Sequence, residues 1–151
     1  MFDVTRYNKN RLDHIFNSFQ KAVENTGFKS AVAIIVKNGK VLLGKATNKD
    51  ERLGKYCFPG GKIDRGENVY HAVKREAWEE SGVICQIQEI TVPITDNSLK
   101  GVAFIECEYV SGDIRENWEF EKDSLKWFDP NNLPKDILPL NKKLIKKYIL
   151  K

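Results

Sequence analysis

Apolar residues recur at helical spacing near both ends of the chain. They appear every three or four positions between Leu12 and Val23, and Gly27 follows the run. This spacing predicts an amphipathic N-terminal helix of about four turns. Near the C-terminus, Leu140 and Leu144 repeat the spacing with lysines between apolar positions, which predicts a short closing helix.

Between these helical segments the pattern becomes that of β-strands. Residues 30–37 (SAVAIIVK) are rich in β-branched and aliphatic side chains, and Asn38-Gly39 is typical of a tight hairpin turn. Residues 40–44 predict the returning strand. Further strands are predicted at residues 83–94, 101–110 and 125–128, with a turn at 129–134.

A second helix is predicted over residues 68–81, because this segment has an apolar stripe and is followed by Gly82, a favourable residue after a helix. The preceding Phe58-Pro59-Gly60-Gly61 is untypical of any regular element and predicts an irregular loop. Helices and strands mixed around hairpins in this order indicate an α+β sandwich.

The composition is that of one folded domain. The chain has 151 residues, of which 41% are hydrophobic and 30% charged, and these values exclude a disordered or collagen-like chain. The longest apolar run, residues 31–36, is far shorter than the roughly 20 residues of a membrane helix. The N-terminus lacks a signal-peptide layout, and three widely spaced cysteines predict reduced, buried thiols. We therefore expect a soluble, cytoplasmic protein with no membrane partner.

Positive charge is concentrated at the C-terminus. The net charge is +4, and six lysines lie between Lys135 and Lys151 with Asp136 as the single acidic residue among them. The rest of the chain does not carry the basic field typical of nucleic-acid-binding proteins. The C-terminal lysines are typical of a solvated helix face, and binding of RNA through them is the alternative.

The helix predicted over residues 68–81 carries three carboxylates on one face. At about 100° per residue, Glu79 and Glu80 lie about 60° and 40° to either side of Glu76. Like charges at these spacings repel, and the C-terminal end of a helix disfavours anions. A hard divalent cation, Mg²⁺ or alternatively Mn²⁺, would offset both effects because it prefers carboxylate oxygens. The alternative is a solvated acidic face.

The stretch from Gly61 to Val83 resembles the signature of the Nudix hydrolase family. That signature is Gly, five residues, Glu, seven residues, Arg-Glu, a bulky aliphatic, any residue, Glu-Glu, any residue, Gly and an aliphatic. One residue departs from it: Ala77 stands at the bulky aliphatic position, which affects packing more than chemistry. The resemblance covers residues 28–150 as the core of a single domain, with residues 1–27 as an additional helix. The matching positions are Gly61, Glu67, Arg75, Glu76, Glu79, Glu80, Gly82 and Val83.

The resemblance implies the Nudix α/β/α sandwich, a mixed sheet packed between helices. It also implies Mg²⁺-dependent hydrolysis of a pyrophosphate bond in a nucleoside diphosphate linked to another group. Metal ions suit this reaction because they neutralise the pyrophosphate charge and lower the pKa of bound water. The implied metal ligands are Glu76, Glu79, Glu80 and the main-chain carbonyl of Gly61, with Arg75 and Glu67 supporting them through ion pairs and hydrogen bonds.

A later segment resembles a pattern of nucleotide-hydrolysing Nudix members. Residues 117–122 (NWEFEK) are similar to Asn-x-Glu-Pro-x-Lys, with Phe120 in place of the proline, and Trp127 follows as in those proteins. Glu119 is predicted to be an additional metal ligand or the catalytic base. The alternative is that these residues are exposed loop charges. The predicted substrate-binding residues are Trp118, Glu119, Phe120 and Glu121, the aromatic ones by stacking on a nucleobase.

The predicted substrate is a nucleoside triphosphate, oxidised and modified nucleotides included. The open alternatives are an ADP-sugar, a dinucleoside polyphosphate or an RNA cap. The sequence does not decide which phosphorus is attacked, nor whether the protein forms a homodimer. A rival of another class is a non-catalytic module of the same fold that binds a nucleotide or RNA. The complete set of carboxylates favours the enzyme.

Overall fold

The computed structural model describes residues 9–25, 27–48, 50–87 and 91–150 of the chain. Helices lie on both sides of one mixed sheet, which confirms the predicted fold class. The helices are α1 (Lys9–Glu24), α2 (Val69–Ser81) and α3 (Pro139–Leu144), and a π-helical turn, Ile145–Ile149, continues α3. The strands are β1 (Ser30–Lys37), β2 (Lys40–Lys45), β3 (Tyr56–Cys57), β4 (Gly60–Lys62), β5 (Ile84–Gln86), β6 (Val102–Ser111) and β7 (Lys126–Phe128).

The sheet runs in the order β3-β2-β1-β6-β5. Strands β1 and β6 are parallel, and the other pairs are antiparallel. One edge of β1 is shared by two strands: β4 pairs with its first residues and β2 with its last. The predicted hairpin is confirmed, since Asn38 and Gly39 adopt φ angles of 50° and 77°.

Alternating residues of β1 face two different cores. Ala31, Ala33 and Ile35 pack with the inner stripe of α2, and Ile34 packs on the opposite face with Leu144 of α3. The alanines are small, which lets α2 lie close to the centre of the sheet. Helix α2 is therefore fixed against β1 and β4.

The prediction of an irregular loop at residues 58–61 is wrong in part, because Gly60 and Gly61 belong to β4, which pairs with β1. The reason is a close approach that only glycine allows. A Cβ atom on Gly60 would lie 2.8 Å from the main-chain oxygen of Ala31 and from the Cα of Val32. Here the glycines permit strand pairing instead of ending it.

The strand predicted at residues 83–94 is much shorter in the structure. It is limited to β5, whose register with β6 shifts between Ile84 and Cys85, and Ile94 forms only an isolated bridge with Phe104. Residues 88–90 of the predicted strand lie outside the described residues. Pairing with β6 resumes after the shift and ends at Gln86.

The predicted N-terminal helix is confirmed as α1, but its apolar stripe is only partly buried. Phe19 packs 5.8 Å from the ring of Tyr70 on α2, whereas Phe16 is 52% exposed. All three cysteines are buried and unpaired, as predicted. In the part of the chain that the structure describes, no helix is long and apolar enough to cross a membrane.

Candidate active site

Helix α2 begins and ends at capping residues. The Asn68 side chain accepts a hydrogen bond from the main-chain N–H of His71 (2.8 Å), and Gly82 (φ 79°) donates to the carbonyl of Trp78 (2.8 Å). The inner stripe is fully buried against the sheet, and Glu76 and Glu80 follow it on the same side of the helix, facing β4, whereas Glu79 is more exposed. That stripe consists of Val69, Ala72, Val73 and Ala77.

Arg75 is the centre of a hydrogen-bond network that joins the segment before α2 to the carboxylates of the helix. Its Nε and Nη2 atoms each donate to the carboxylate of Glu67 at 2.8 Å, and Nη2 also donates to the Lys62 carbonyl (3.0 Å). Its Nη1 atom donates to Glu76 (2.9 Å) and to Glu79 (3.1 Å). The hydrogen bond to Glu67 is the main reason that the pKa of Arg75 lies above its ordinary value.

Glu67 is held in one position by several donors. Besides Arg75, the main-chain N–H of Asp64 donates to it (2.9 Å), and its other oxygen lies 2.6 Å from Nδ1 of His71. The hydrogen bond from Arg75 is the largest of the effects that lower the pKa of Glu67 to about 2. Both oxygens are thus occupied by protein donors, and Glu67 fits a supporting position rather than a metal ligand.

Glu80 is a carboxylate buried in a site of low polarity. Its side chain accepts a hydrogen bond from the main-chain N–H of Gly60 (2.9 Å), and the residue is 8% exposed. Burial, helped by the charges of Glu76 and Glu119, raises the pKa of Glu80 to about 8. Burial also raises the pKa of Glu76. Burial therefore disfavours the ionised form of both carboxylates, which a bound cation would favour.

Gly61 lies directly against the carboxylate of Glu76. A Cβ atom at position 61 would stand 2.6 Å from Cδ of Glu76 and 2.7 Å from both of its oxygens. A side chain at this position would therefore displace the carboxylate. The glycine leaves open a cradle between β4 and α2.

The donor atoms around the cradle decide whether it fits a divalent metal ion. Among the residues in the described ranges, no three side chains of His, Cys, Asp or Glu already surround a common point. The donor set nevertheless fits a hard cation, because its members are carboxylate and carbonyl oxygens. The carboxylates of Glu76 and Glu79 both accept a hydrogen bond from Nη1 of Arg75, so they lie close together. The space beside Glu76 is open because residue 61 is a glycine without a Cβ atom.

The segment before Phe120 is docked on the C-terminal end of α2. Arg115 donates to the Trp78 carbonyl (2.6 Å), and its guanidinium lies 4.4 Å from the centre of the Trp78 ring. Asn117 donates to the carbonyl of Glu79 (3.0 Å) and accepts from the main-chain N–H of Glu119 (2.7 Å). These contacts satisfy carbonyls that a helix leaves unpaired at its end, and they place Glu119 near the cluster.

The predicted substrate-binding residues of this segment have different surroundings. Trp118 is 79% exposed and stays a prediction, as does Glu119. Phe120 is 6% exposed and packs with Ala46 and Cys57, and its main chain bridges to Ala46, while its stacking on a base stays a prediction. The side chain of Glu121 turns toward Lys45, 3.8 Å away, on a solvent-exposed surface.

A cleft of about 580 Å³ opens beside β4, on the side of α3. It contains two polar residues that sequence reasoning missed, Arg52 and Asn141. Asn141 is 5% exposed, and its side-chain oxygen accepts from the main-chain N–H of Phe58 (3.0 Å). A signal was present in the sequence, since Asn141 interrupts the otherwise apolar inner positions of the closing helix. The apolar wall includes Val32, Phe58, Leu99, Val102, Phe104, Leu138 and Leu140.

Comparisons with known proteins agree with this geometry. The sequence model of the NUDIX domain family matches residues 27–148. An ADP-ribose pyrophosphatase of Methanocaldococcus jannaschii is 32% identical over 122 residues, which are 77% of this chain and 69% of that protein. A nudix hydrolase of Caenorhabditis elegans is 31% identical over 108 residues, which are 68% of this chain and 29% of that protein. The match therefore covers less than a third of that relative's length.

Other relatives differ in the substrate that their descriptions name. They are an 8-oxo-dGTP diphosphatase of Buchnera aphidicola, an NAD-capped RNA hydrolase of Chromobacterium violaceum and an RNA pyrophosphohydrolase of a Psychrobacter species, each matched over less than half its length. Among solved structures, a NUDIX hydrolase from Nitrosomonas europaea superposes with a TM-score of 0.69 at 20% identity, covering 83% of this chain and 72% of that one. That likeness shows the fold.

Proposed function

The chain belongs to the Nudix hydrolase family, and we propose that it hydrolyses the pyrophosphate linkage of a nucleoside triphosphate, oxidised and modified nucleotides included, with a divalent metal ion held at α2. The observation that carries this proposal is that two glycines of β4 contact the carboxylates and also line the cleft. Gly60 donates to Glu80 and Gly61 touches Glu76, and both glycines line the cleft. A ligand in the cleft therefore has its phosphates beside the carboxylates.

The cleft suits a nucleobase in size and lining. A volume of about 580 Å³ lies within the usual range of small-molecule sites. Phe58 and Phe104 supply flat apolar surface, and the Asn141 amide supplies a hydrogen-bonding group at the wall. A mostly apolar pocket with a few placed polar groups is the ordinary design of such sites. The base is thus recognised at one end of the cleft and the phosphates at the other.

In the proposed mechanism, the protein holds and orients the reacting groups. Glu76, Glu79, Glu80 and the Gly61 carbonyl would hold the metal ion, which when bound supplies charge neutralisation and a lowered pKa of bound water. Arg75 fixes Glu76 and Glu79, while Glu67 fixes Arg75. A carboxylate of the cluster, or Glu119 on the later loop, accepts the proton released in hydrolysis.

A second candidate substrate is ADP-ribose. The M. jannaschii relative with that activity in its description is matched over 77% of this chain. ADP-ribose and a nucleoside triphosphate share the nucleoside and the diphosphate, so the same cleft and cluster would serve both. They differ in the group beyond the diphosphate.

A substrate panel tests the proposed function. Release of phosphate or nucleotide is measured for common and oxidised nucleoside triphosphates, ADP-ribose, diadenosine polyphosphates and capped RNA, with Mg²⁺ and with a chelator. We expect the highest kcat/KM for a nucleoside triphosphate, and only with the metal. A clear preference for ADP-ribose would replace the proposed substrate. Silence across the panel, with the fold verified, would favour a binding module.

Replacement of Asn141 should affect substrate binding more than turnover. In Asn141→Asp, the acceptor for the Phe58 N–H is kept but the amide donor is lost, so we expect KM for the preferred nucleotide to rise about tenfold or more. The melting temperature should fall, because the new carboxylate is buried with the Phe58 N–H as its donor, so KM is measured at a temperature at which the variant is folded. Asn131→Asp, in an exposed turn, is the matched control for the added charge. Unchanged KM values for Asn141→Asp across the panel would contradict a role for this amide.

Asn117 is expected to act as a positioning residue for Glu119. Asn117→Ala removes the bridge between the Glu79 carbonyl and the Glu119 N–H, and we expect kcat to fall about 10- to 100-fold while KM stays nearly constant. Steady-state kinetics and the apparent affinity for Mn²⁺ are the measurements, with Asn131→Ala as control. A purely structural role predicts lower stability with normal kcat in the folded fraction.

A further inference from the structure

One cation lines the cleft among the residues that the structure describes, and it is Arg52. It lies in the loop between β2 and β3, and its side chain is 43% exposed. The same cleft is also lined by Asp50 and Glu51, and it adjoins the carboxylates of α2. A polyphosphate entering this acidic surrounding needs positive charge on the protein in addition to any metal ion.

Asp50 holds one edge of the Arg52 guanidinium and orients it. Nε and Nη2 of Arg52 donate to the two oxygens of Asp50 at 3.1 and 2.8 Å, and the main-chain N–H of Arg52 donates to the same carboxylate at 2.8 Å. In the described ranges, no hydrogen bond engages Nη1 of Arg52. One end of the planar fork is therefore fixed in direction while donors at the other end are available.

Arg52 lies close to the carboxylate cluster. The hydrogen bonds to Asp50 are the main cause that raises the pKa of Arg52, and the charge of Glu80 adds to them. Asn48 connects the two sides: with its amide nitrogen oriented toward Glu119 (3.1 Å), its oxygen accepts from Arg52. The guanidinium thus lies at the cleft and is linked through Asn48 to Glu119.

The ion pair with Asp50 does not explain Arg52 by itself. Both side chains are about two-fifths exposed, and such surface pairs contribute little to stability. The remaining N–H donors, on Nη1, carry part of a positive charge and suit the oxygens of a phosphate group. We propose that Arg52 binds a phosphate group of the substrate inside the cleft, with Asp50 as its positioning residue. This proposal rests on the proposed function, because it deepens the description of that same site.

The test compares Arg52→Gln with Lys55→Gln, which removes an exposed charge from the same loop outside the cleft lining. Calorimetry in Mg²⁺ buffer measures binding of a nucleoside, the corresponding nucleoside monophosphate and pyrophosphate, and kinetics and melting temperature are measured in parallel. For Arg52→Gln we expect about tenfold weaker binding of at least one phosphate ligand, about tenfold higher KM, kcat within about threefold and unchanged nucleoside affinity. Lys55→Gln should behave as the wild type, and Arg52→Lys should lie between the two.

Binding and turnover separate the two proposals. If Arg52→Gln binds all three ligands like the wild type, the assignment of Arg52 is wrong even when the enzyme is active. Equal weakening of the nucleoside and the phosphate ligands would also overturn it, since that pattern indicates a disturbed cleft. A wild type that binds phosphate ligands through Arg52 but hydrolyses no nucleotide would refute the proposed function alone. Absence of phosphate-ligand binding to the wild type would refute the Arg52 assignment.

Discussion

Glu80→Gln is expected to lower kcat by at least about a thousandfold while the protein keeps its fold. The carboxylate of Glu80 is the most buried of the proposed metal ligands, and an amide is a far weaker ligand for a hard cation. The Gln side chain still offers an oxygen to the Gly60 N–H, and it removes a charge from a site that burial disfavours. We therefore expect the melting temperature of the metal-free protein to stay the same or rise.

The measurement is kcat at saturating Mg²⁺ together with thermal unfolding followed by circular dichroism. Glu24→Gln on the exposed side of α1 is the control for a lost surface carboxylate. A folded Glu80→Gln variant with near-normal kcat at high Mg²⁺ would exclude Glu80 as a metal ligand. A variant that unfolds would instead indicate that the carboxylate itself stabilises the contact with β4.

The largest effect on stability is expected from Arg75→Ala. This change leaves Glu67, whose side chain is 10% exposed, without the partner that donates to both of its oxygens. Glu67 keeps the Asp64 N–H and His71 but loses the charge that pairs with it, and we expect the free energy of unfolding to fall by about 2–4 kcal/mol. Glu76 and Glu79 also lose their common donor, so kcat/KM should fall even at temperatures where the variant is folded. Urea denaturation and steady-state kinetics are the measurements.

A double variant separates the two roles of Arg75. In Glu67→Gln/Arg75→Ala the unpaired charge is removed, so a substantial part of the stability should return while kcat/KM stays low. Recovery of both quantities would mean that Arg75 acts only by neutralising Glu67. A loss of stability below about 0.5 kcal/mol in Arg75→Ala would contradict the importance of this network.

The helix that carries the carboxylates could be predicted from its sequence because its signals are local. The apolar stripe, the residue after the helix and the spacing of Glu76, Glu79 and Glu80 depend on the helical repeat alone. The same holds for the hairpin at Asn38-Gly39, where the turn requires positive φ angles that these residues tolerate. Local rules therefore placed three of the proposed ligands on one face.

Other parts of the site depend on distant segments, and local patterns do not reveal them. Gly60 lies in a strand because of its close approach to Ala31, about thirty positions earlier in the chain. The burial of Phe120 results from its bridge to Ala46, which no spacing within residues 117–122 indicates. The cleft brings Arg52 together with Asn141 from opposite parts of the sequence. Tertiary contacts between remote elements decide all three cases.

The central claim is metal-dependent hydrolysis of a nucleotide at the carboxylates of α2. The most direct measurement is phosphorus NMR of a purine nucleoside triphosphate incubated with the wild type and with Glu80→Gln, each with Mg²⁺ and with a chelator. The account predicts that nucleotide and phosphate products form with the wild type and Mg²⁺ only. Equal product formation in the chelator, or by Glu80→Gln, would contradict it.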